Sequence, residues 1–391
     1  MRSRQEKNIL IASSIIALAY WALTIRQPLI NGHEFRQTQT ALSALFMQPG
    51  LSGFLNYQTP VVGFPWSIPF EFPLFQWLAS GLSKLTSIDL STCGRTLSVI
   101  FGLGCIGPAL GLLQNFNVSK AGRNCFLILY FSSSIYLYWN RTFMIESMAL
   151  FFTLLSLYIY SLIRPSDYPD RSGKKFLLLL IGLCLALSLS LLIKATTGLP
   201  AFLLIFLDLA WKSISALRSS RESIKAFFVQ IAPIALVTLT AFALLKAWTF
   251  HADSLKELNP VGTRLTSEAL KIWNFGTTEQ RLSSQLWLDV VIKRMLSPIG
   301  ALPAIALLIS GFRNTRQREQ ITFMGACLFL AITPLLLFSN LHIVHTYYQS
   351  ANQVYILLGL STAYASSTTV ESPKRLQRMA GIAILLFILG S

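Results

Sequence analysis

The chain has 391 residues, 53% of them hydrophobic and only 12% charged, with a mean hydropathy of +0.56. Soluble domains carry about a quarter charged residues, so the composition excludes an ordinary soluble domain and predicts an all-α, multi-span membrane protein. The formal charge of +16 invites a nucleic-acid reading, but the basic residues fall in short clusters between apolar runs, the pattern of orientation signals and anionic-lipid contact.

"MRSRQEK" followed by "NILIASSIIALAYWALTI" has the basic and apolar regions of a signal peptide. The apolar part is long and no small-x-small cleavage site follows, so it reads as a retained first helix. Further apolar runs lie near 95–113, 122–139, 146–163, 176–193, 196–211, 227–248, 296–312, 321–338, 350–366 and 379–391. With the run at 8–25 they predict about eleven spans in a single membrane domain covering 1–391. The five cysteines, Cys93, Cys105, Cys125, Cys184 and Cys327, show no CxxC spacing and read as small apolar residues rather than a disulfide framework.

A twelfth run, "FEFPLFQWLASGLSKL" at about 70–85, is shorter than a span and is interrupted by Glu71, Pro73 and Lys84. The basic residues decide its placement. If it does not cross, one side receives Arg2, Arg4, Lys7, Lys120, Arg123, Arg164, Arg171, Lys174, Lys175, Lys212, Arg218, Arg221, Lys225, Arg313, Arg316 and Arg318, with Lys374, Arg375 and Arg378 at the end. If it crosses, every basic loop after the first moves outside, against the positive-inside rule. The run is therefore expected to lie at the outer surface, which leaves two long outer loops at about 26–94 and 249–295.

That topology gathers polar residues on the outer face, where charged groups at span ends usually mark a site. "NGHEFRQTQTAL" (31–42) carries His33, Glu34, Arg36 and Gln37. It reads either as the hydrated start of an interfacial helix over about 38–48 or as Glu34 facing a cavity with Arg36 as an anion partner. Glu71 lies between Pro69 and Pro73 in an aromatic stretch whose prolines stiffen the backbone. Arg141 and Glu146 open a span in "WNRTFMIESMALFF"; Glu146 either suits the helix dipole or shares the cavity. Lys194 in "LLIKATTGLP" either snorkels to headgroups or holds a phosphate. "SNLHIVHTYYQSANQVY" presents His342, His345, Tyr347 and Tyr348, as interface anchors, a sugar-phosphate pocket or, less completely, two metal ligands.

The order of these motifs resembles the GT-C membrane glycosyltransferases, in the bacterial branch related to protein O-mannosyltransferases and lipid A aminoarabinose transferases. The resemblance spans about 8–366 and is densest in "HEFRQTQTA", "FEFPLFQ" and "RTFMIES". It implies transfer of a sugar from a polyprenyl-phosphate carrier to a lipid, glycan or protein acceptor at the outer face, in a bacterial cell envelope. Glu34, Glu71 and Glu146 would then be the catalytic acids. His33, Arg36, Gln37, Arg141, Lys194, His342, His345, Tyr347 and Tyr348 would bind substrate. The family's first outer motif commonly begins Asp-Glu; here the pair is His33–Glu34, which loosens the assignment of Glu34. Phe72 stands where a lysine often follows the "E-x-P" glutamate.

No nucleotide-binding glycine loop is present, as suits a donor that brings its own membrane anchor. A divalent metal ion stays open, since no ligand set is complete in the sequence. Rival readings are a polysaccharide polymerase or ligase, and a flippase of lipid-linked sugars. The flippase would be expected to show internal repeats, and none is visible.

Overall fold

The computed structural model describes residues 2–30, 32–164, 173–218, 229 and 231–369. The last apolar run expected at 379–391, and the basic residues Arg171, Arg221, Lys225, Lys374, Arg375 and Arg378, lie outside them.

The described residues form helices and no strand, taken here in chain order. They are α1 (Arg2–Thr24), α2 (Glu34–Leu45), α3 (Gly50–Leu55), α4 (Leu74–Thr86), α5 (Leu90–Gly104) and α6 (Ile106–Asn115). Next come α7 (Lys120–Ser132), α8 (Ser134–Trp139), α9 (Glu146–Ile163), α10 (Lys174–Ile193), α11 (Ala195–Leu217) and α12 (Ala232–Lys256). Short helices α13 (Lys271–Phe275) and α14 (Thr278–Leu282) precede a π-helical segment, Gln285–Leu296. The series closes with α15 (Ala301–Asn314), α16 (Arg318–Leu337), α17 (Ser339–Val344) and α18 (Gln349–Thr369).

Among the described residues, 7 helices are long and apolar enough to cross a membrane: Arg4–Thr24, Leu90–Asn115, Glu146–Ile163, Lys174–Ile193, Ala195–Ala216, Ala232–Lys256 and Arg318–Leu337. The run expected at 296–312 is not one straight span. Gln285–Ile299 and Ala301–Asn314 meet at 83°, and the bend falls at Gly300, whose φ of 71° is cheap only without a Cβ. The run expected at 122–139 breaks at Ser133 into α7 and α8. The stretch expected to lie on the surface becomes α4, 13 residues long. At 1.5 Å per residue it reaches about 20 Å, too short for a hydrocarbon core of about 30 Å.

The chain divides into two compact units. One comprises 1–27, 109–142 and 271–391, the other 28–108 and 143–270. In the first, α18 packs on α7, α15 and α16, and Phe116 stacks on Phe323 at 4.4 Å. In the second, α9–α12 share a core that includes Leu183, Leu187, Leu191, Ile205, Ile234 and Ala241. A second core in that unit sits at the start of α9: Ala44 of α2, Phe75 and Ala79 of α4, Phe143, Met148 and Ile193. Phe75 meets Phe143 edge to face at 5.6 Å. Burying each such ring contributes on the order of 2 kcal/mol, so the first outer loop is anchored to the mouth of α9 by apolar packing. That anchoring places its polar residues.

Candidate functional site

Five of the residues singled out by sequence converge in the second unit: His33, Arg36, Glu71, Glu146 and Lys194. Four elements position them, His33 and Arg36 sharing the start of α2. Gly32 and His33 take left-handed backbone angles (φ 70° and 52°) in the turn that launches α2. Arg36 follows in the first turn of the helix. Glu71 lies just before α4, where Tyr57 holds its backbone: the fully buried phenol donates to the Glu71 carbonyl at 2.8 Å and accepts from the N–H groups of Phe70 and Glu71 at 2.9 and 3.2 Å. Burial and the Glu71 charge both push the Tyr57 pKa up, so the phenol stays protonated and able to donate.

The Glu71 side chain is buried and held at both oxygens. Gln76 Nε2 donates to Oε1 at 2.7 Å. Arg36 Nη1 lies 3.1 Å from Oε2 in an ion pair and donates to Gln39 Oε1 at 2.8 Å. Gln76 was not picked out by sequence. The signal lay in its spacing, since five residues after Glu71 it falls in the first turn of α4 and can reach back.

Glu146 begins α9 and Lys194 occupies the turn between α10 and α11. Lys194 Nζ donates to Glu146 Oε1 at 2.5 Å, and both side chains are buried. Glu146 Oε2 is also buried and makes no hydrogen bond among the described residues. A buried acceptor left unmatched costs roughly 1–3 kcal/mol, so Oε2 is open to a donor from a bound group.

The two carboxylates share one electrostatic neighbourhood. Glu146 feels Arg36 as well as Lys194, and His33 feels Glu146, Glu34, Arg36 and Lys194. Burial outweighs the nearby acids at His33 and lowers its pKa, so the imidazole is neutral at pH 7. Lys256, at the end of α12, lies within reach of the Glu71 charge; it too was missed by sequence. The arrangement is two buried carboxylates, each fixed by a cation and a backbone turn. Glu146, Lys194 and Lys256 all stand at one end of their helices, while Arg164, Lys174, Lys175, Lys212 and Arg218 stand at the other.

The remaining expected site residues are placed differently. Glu34 is exposed on the first turn of α2. Gln37 is fully buried and spans two backbones, donating to the Gly32 carbonyl at 2.6 Å and accepting from the Phe143 N–H at 3.1 Å. It therefore ties the first outer loop to the mouth of α9.

Arg141 belongs to the first unit, where it is buried against Gln27 Oε1 (2.9 Å), the Tyr20 hydroxyl (3.3 Å) and the face of Tyr138 (4.6 Å). His342, His345, Tyr347 and Tyr348 are also in that unit. His345 stacks on Tyr347 at 5.3 Å, Tyr347 on Tyr348 at 4.7 Å, and Trp139 abuts Tyr347 at 6.0 Å. Gln349 Nε2 lies 3.3 Å from His342 Nδ1, and Arg294 donates to the carbonyls of His342 and Ile343 at 3.3 and 2.9 Å. Stacked rings of this kind present an apolar face with polar rims, suited to a sugar ring or a prenyl chain. Among the described residues no group of three or more His, Cys, Asp or Glu is placed to hold a metal ion.

Comparison with solved structures identifies the fold. The fold is that of the GT-C membrane proteins. It superposes on ArnT from Cupriavidus metallidurans in the apo state with a TM-score of 0.59 at 14% identity, covering 97% of this chain and 63% of that one. The same protein bound to undecaprenyl phosphate gives 0.61 at 17% identity, covering 96% and 63%. The archaeal oligosaccharyltransferase AglB from Archaeoglobus fulgidus, in complex with an inhibitory peptide and a dolichol-phosphate, gives 0.55 at 13% identity, covering 100% and 55%. The chain thus spans less than two thirds of the length of these structures. No curated protein sequence matches it. The family model for dolichyl-phosphate-mannose-protein mannosyltransferase matches residues 58–255, just over half the chain, and the chain belongs to that family.

Proposed function

We propose that the chain is a membrane glycosyltransferase that moves a sugar from a polyprenyl-phosphate carrier to a lipid, glycan or protein acceptor. The observation that carries this reading is the pair of buried, cation-bound carboxylates, Glu71 with Arg36 and Glu146 with Lys194, in one electrostatic neighbourhood. Family membership and the solved relatives bound to undecaprenyl phosphate or dolichol-phosphate support it.

In the proposed reaction an acceptor hydroxyl attacks the anomeric carbon, the bond from that carbon to the phosphate oxygen breaks, and polyprenyl phosphate leaves. The hydroxyl proton passes to a carboxylate. Glu146 Oε2, buried and without a hydrogen bond, is an acceptor for it, and Glu71 orients the incoming group. Arg36 and Lys194 offset the negative charge that grows on the departing phosphate. A single displacement inverts the anomeric configuration. The site faces the periplasm or exterior of a bacterial inner membrane, because the opposite helix ends carry the basic residues expected at the cytoplasmic side.

The deciding experiment incubates purified protein with labelled polyprenyl-phosphate sugars. Release of polyprenyl phosphate together with an inverted glycoside is expected. A donor returned intact but moved across a vesicle membrane would identify a flippase instead.

A further inference from the structure

The segment that carries Glu71 is gripped from a second direction, by the outer end of α12 and the chain beyond it. Trp248 stands edge-on to Phe72, the neighbour of Glu71, at 5.2 Å. His251 Nε2 lies 3.2 Å from the Leu55 carbonyl. Three residues past the helix, Asn259 is fully buried and uses both ends of its amide. Its Nδ2 donates to the carbonyls of Gly63 and Pro65 at 3.1 and 3.0 Å, while Oδ1 accepts from the N–H groups of Val261 and Gly262, each at 2.8 Å.

The two ends of that amide do different things. The oxygen closes a tight turn of its own loop, which Gly262 permits: a Cβ there would stand 2.4 Å from the Lys256 carbonyl oxygen. The nitrogen reaches across almost 200 residues of sequence to the Gly63–Pro65 turn. That turn is wired onward to the site. The Trp66 carbonyl accepts from the Thr59 N–H at 2.8 Å, the Thr59 hydroxyl meets Ser43 of α2 at 2.8 Å, and Tyr57, two residues before Thr59, holds the Glu71 backbone.

We infer that Asn259 is a positioning residue for the transfer reaction: through the two hydrogen bonds donated by its amide nitrogen, the second outer loop sets the 54–72 segment and with it the Glu71 carboxylate. This rests on the proposed function. A purely local role makes a different prediction, because an aspartate closes the same turn as well as an asparagine. Asn259→Asp keeps the acceptor oxygen and turns the donated tie into a repulsion, setting a carboxylate oxygen against the Gly63 and Pro65 carbonyls.

The test compares wild type, Asn259→Asp and Asn259→Ala for turnover with labelled polyprenyl-phosphate sugar. Each rate is normalised to polyprenyl phosphate bound in the same sample, so that unfolded protein does not count. Misplacement of a reacting group by about 1 Å can cost on the order of a hundredfold, and both variants are expected to lose at least tenfold. Asn259→Asp turning over like wild type would overturn the proposal.

A second arm does not depend on turnover. Spin labels at Phe64 and Leu258, which are 82% and 67% exposed, are placed on a Cys184→Ala background. They should give one narrow distance in the wild-type loop and a broadened one with Asn259→Asp. Unchanged distances would show that the tie does not hold the segment, whatever reaction the protein performs.

Discussion

Lys194 Nζ and Glu146 Oε1 lie 2.5 Å apart although 48 residues separate them, and both side chains are buried. The pair joins the turn between α10 and α11 to the first residue of α9. Removing one partner of a buried pair strands the other charge, which typically costs about 3–5 kcal/mol. Lys194→Met should therefore lower the melting temperature in detergent and abolish transfer. Lys194→Met combined with Glu146→Gln should recover much of the stability and none of the transfer. A double variant no more stable than Lys194→Met would show that the pairing does not carry the loss.

Glu71→Gln keeps the shape of the side chain and removes its charge. Transfer should fall by about a hundredfold, the range for misplacing a reacting group, while the melting temperature falls less than in Lys194→Met, because Arg36 is partly exposed and keeps its bond to Gln39. Wild-type turnover in this variant would remove Glu71 from the reaction.

Arg36 supports Glu71 by charge and Gln39 by a hydrogen bond. Arg36→Lys retains a cation but loses the planar guanidinium whose Nη1 meets both groups. Its turnover should fall between that of wild type and Arg36→Ala. Equal activity of the lysine and alanine variants would mean that charge alone is not what Arg36 supplies.

His33 titrates below the ordinary histidine value because burial, helped by the Arg36 and Lys194 charges, outweighs the opposing pull of Glu146 and Glu34. The folded chain thus resists protonation where the unfolded chain accepts it, at about pH 6.5. Stability should fall as pH drops through the unfolded value toward the lower folded one, and be unaffected by this group above it. His33→Gln should shrink the drop in melting temperature between pH 7.5 and 5.5. An unaltered drop would assign the acid sensitivity to other groups.

Gly94 of α5 has no room for a side chain: an added Cβ would stand 2.2 Å from the Phe143 ring. That ring is itself packed on Phe75 and cannot swing away freely. Gly94→Ala should destabilise by about 1–3 kcal/mol and reduce transfer by shifting the mouth of α9. Thermal unfolding in detergent beside the turnover assay measures both.

The long apolar helices α1, α9, α10, α11, α12 and α16 were readable from hydropathy, and so was the shortness of α4. Gln76, Tyr57, Lys256 and Asn259 were not readable, since an isolated polar residue in a loop or first turn looks like any hydrated surface group until its partner is known. Arg141 and Glu146 show the limit most plainly. Five residues apart, they have partners that the spacing does not give: Arg141 is bound to Tyr20, Gln27 and Tyr138 in one unit. Glu146 is bound to Lys194 in the other.

What the sequence by itself determined is the solvent each stretch prefers and where the cationic helix ends fall, because transfer into lipid depends on local composition summed over about 20 residues. The tertiary structure decided which cation meets which carboxylate. That choice depends on directional contacts within about 3 Å between residues as far apart as Asn259 and Gly63, and the packing of Phe75 on Phe143, with the Gln37 hydrogen bonds, joins the loop of Glu71 to the mouth of α9.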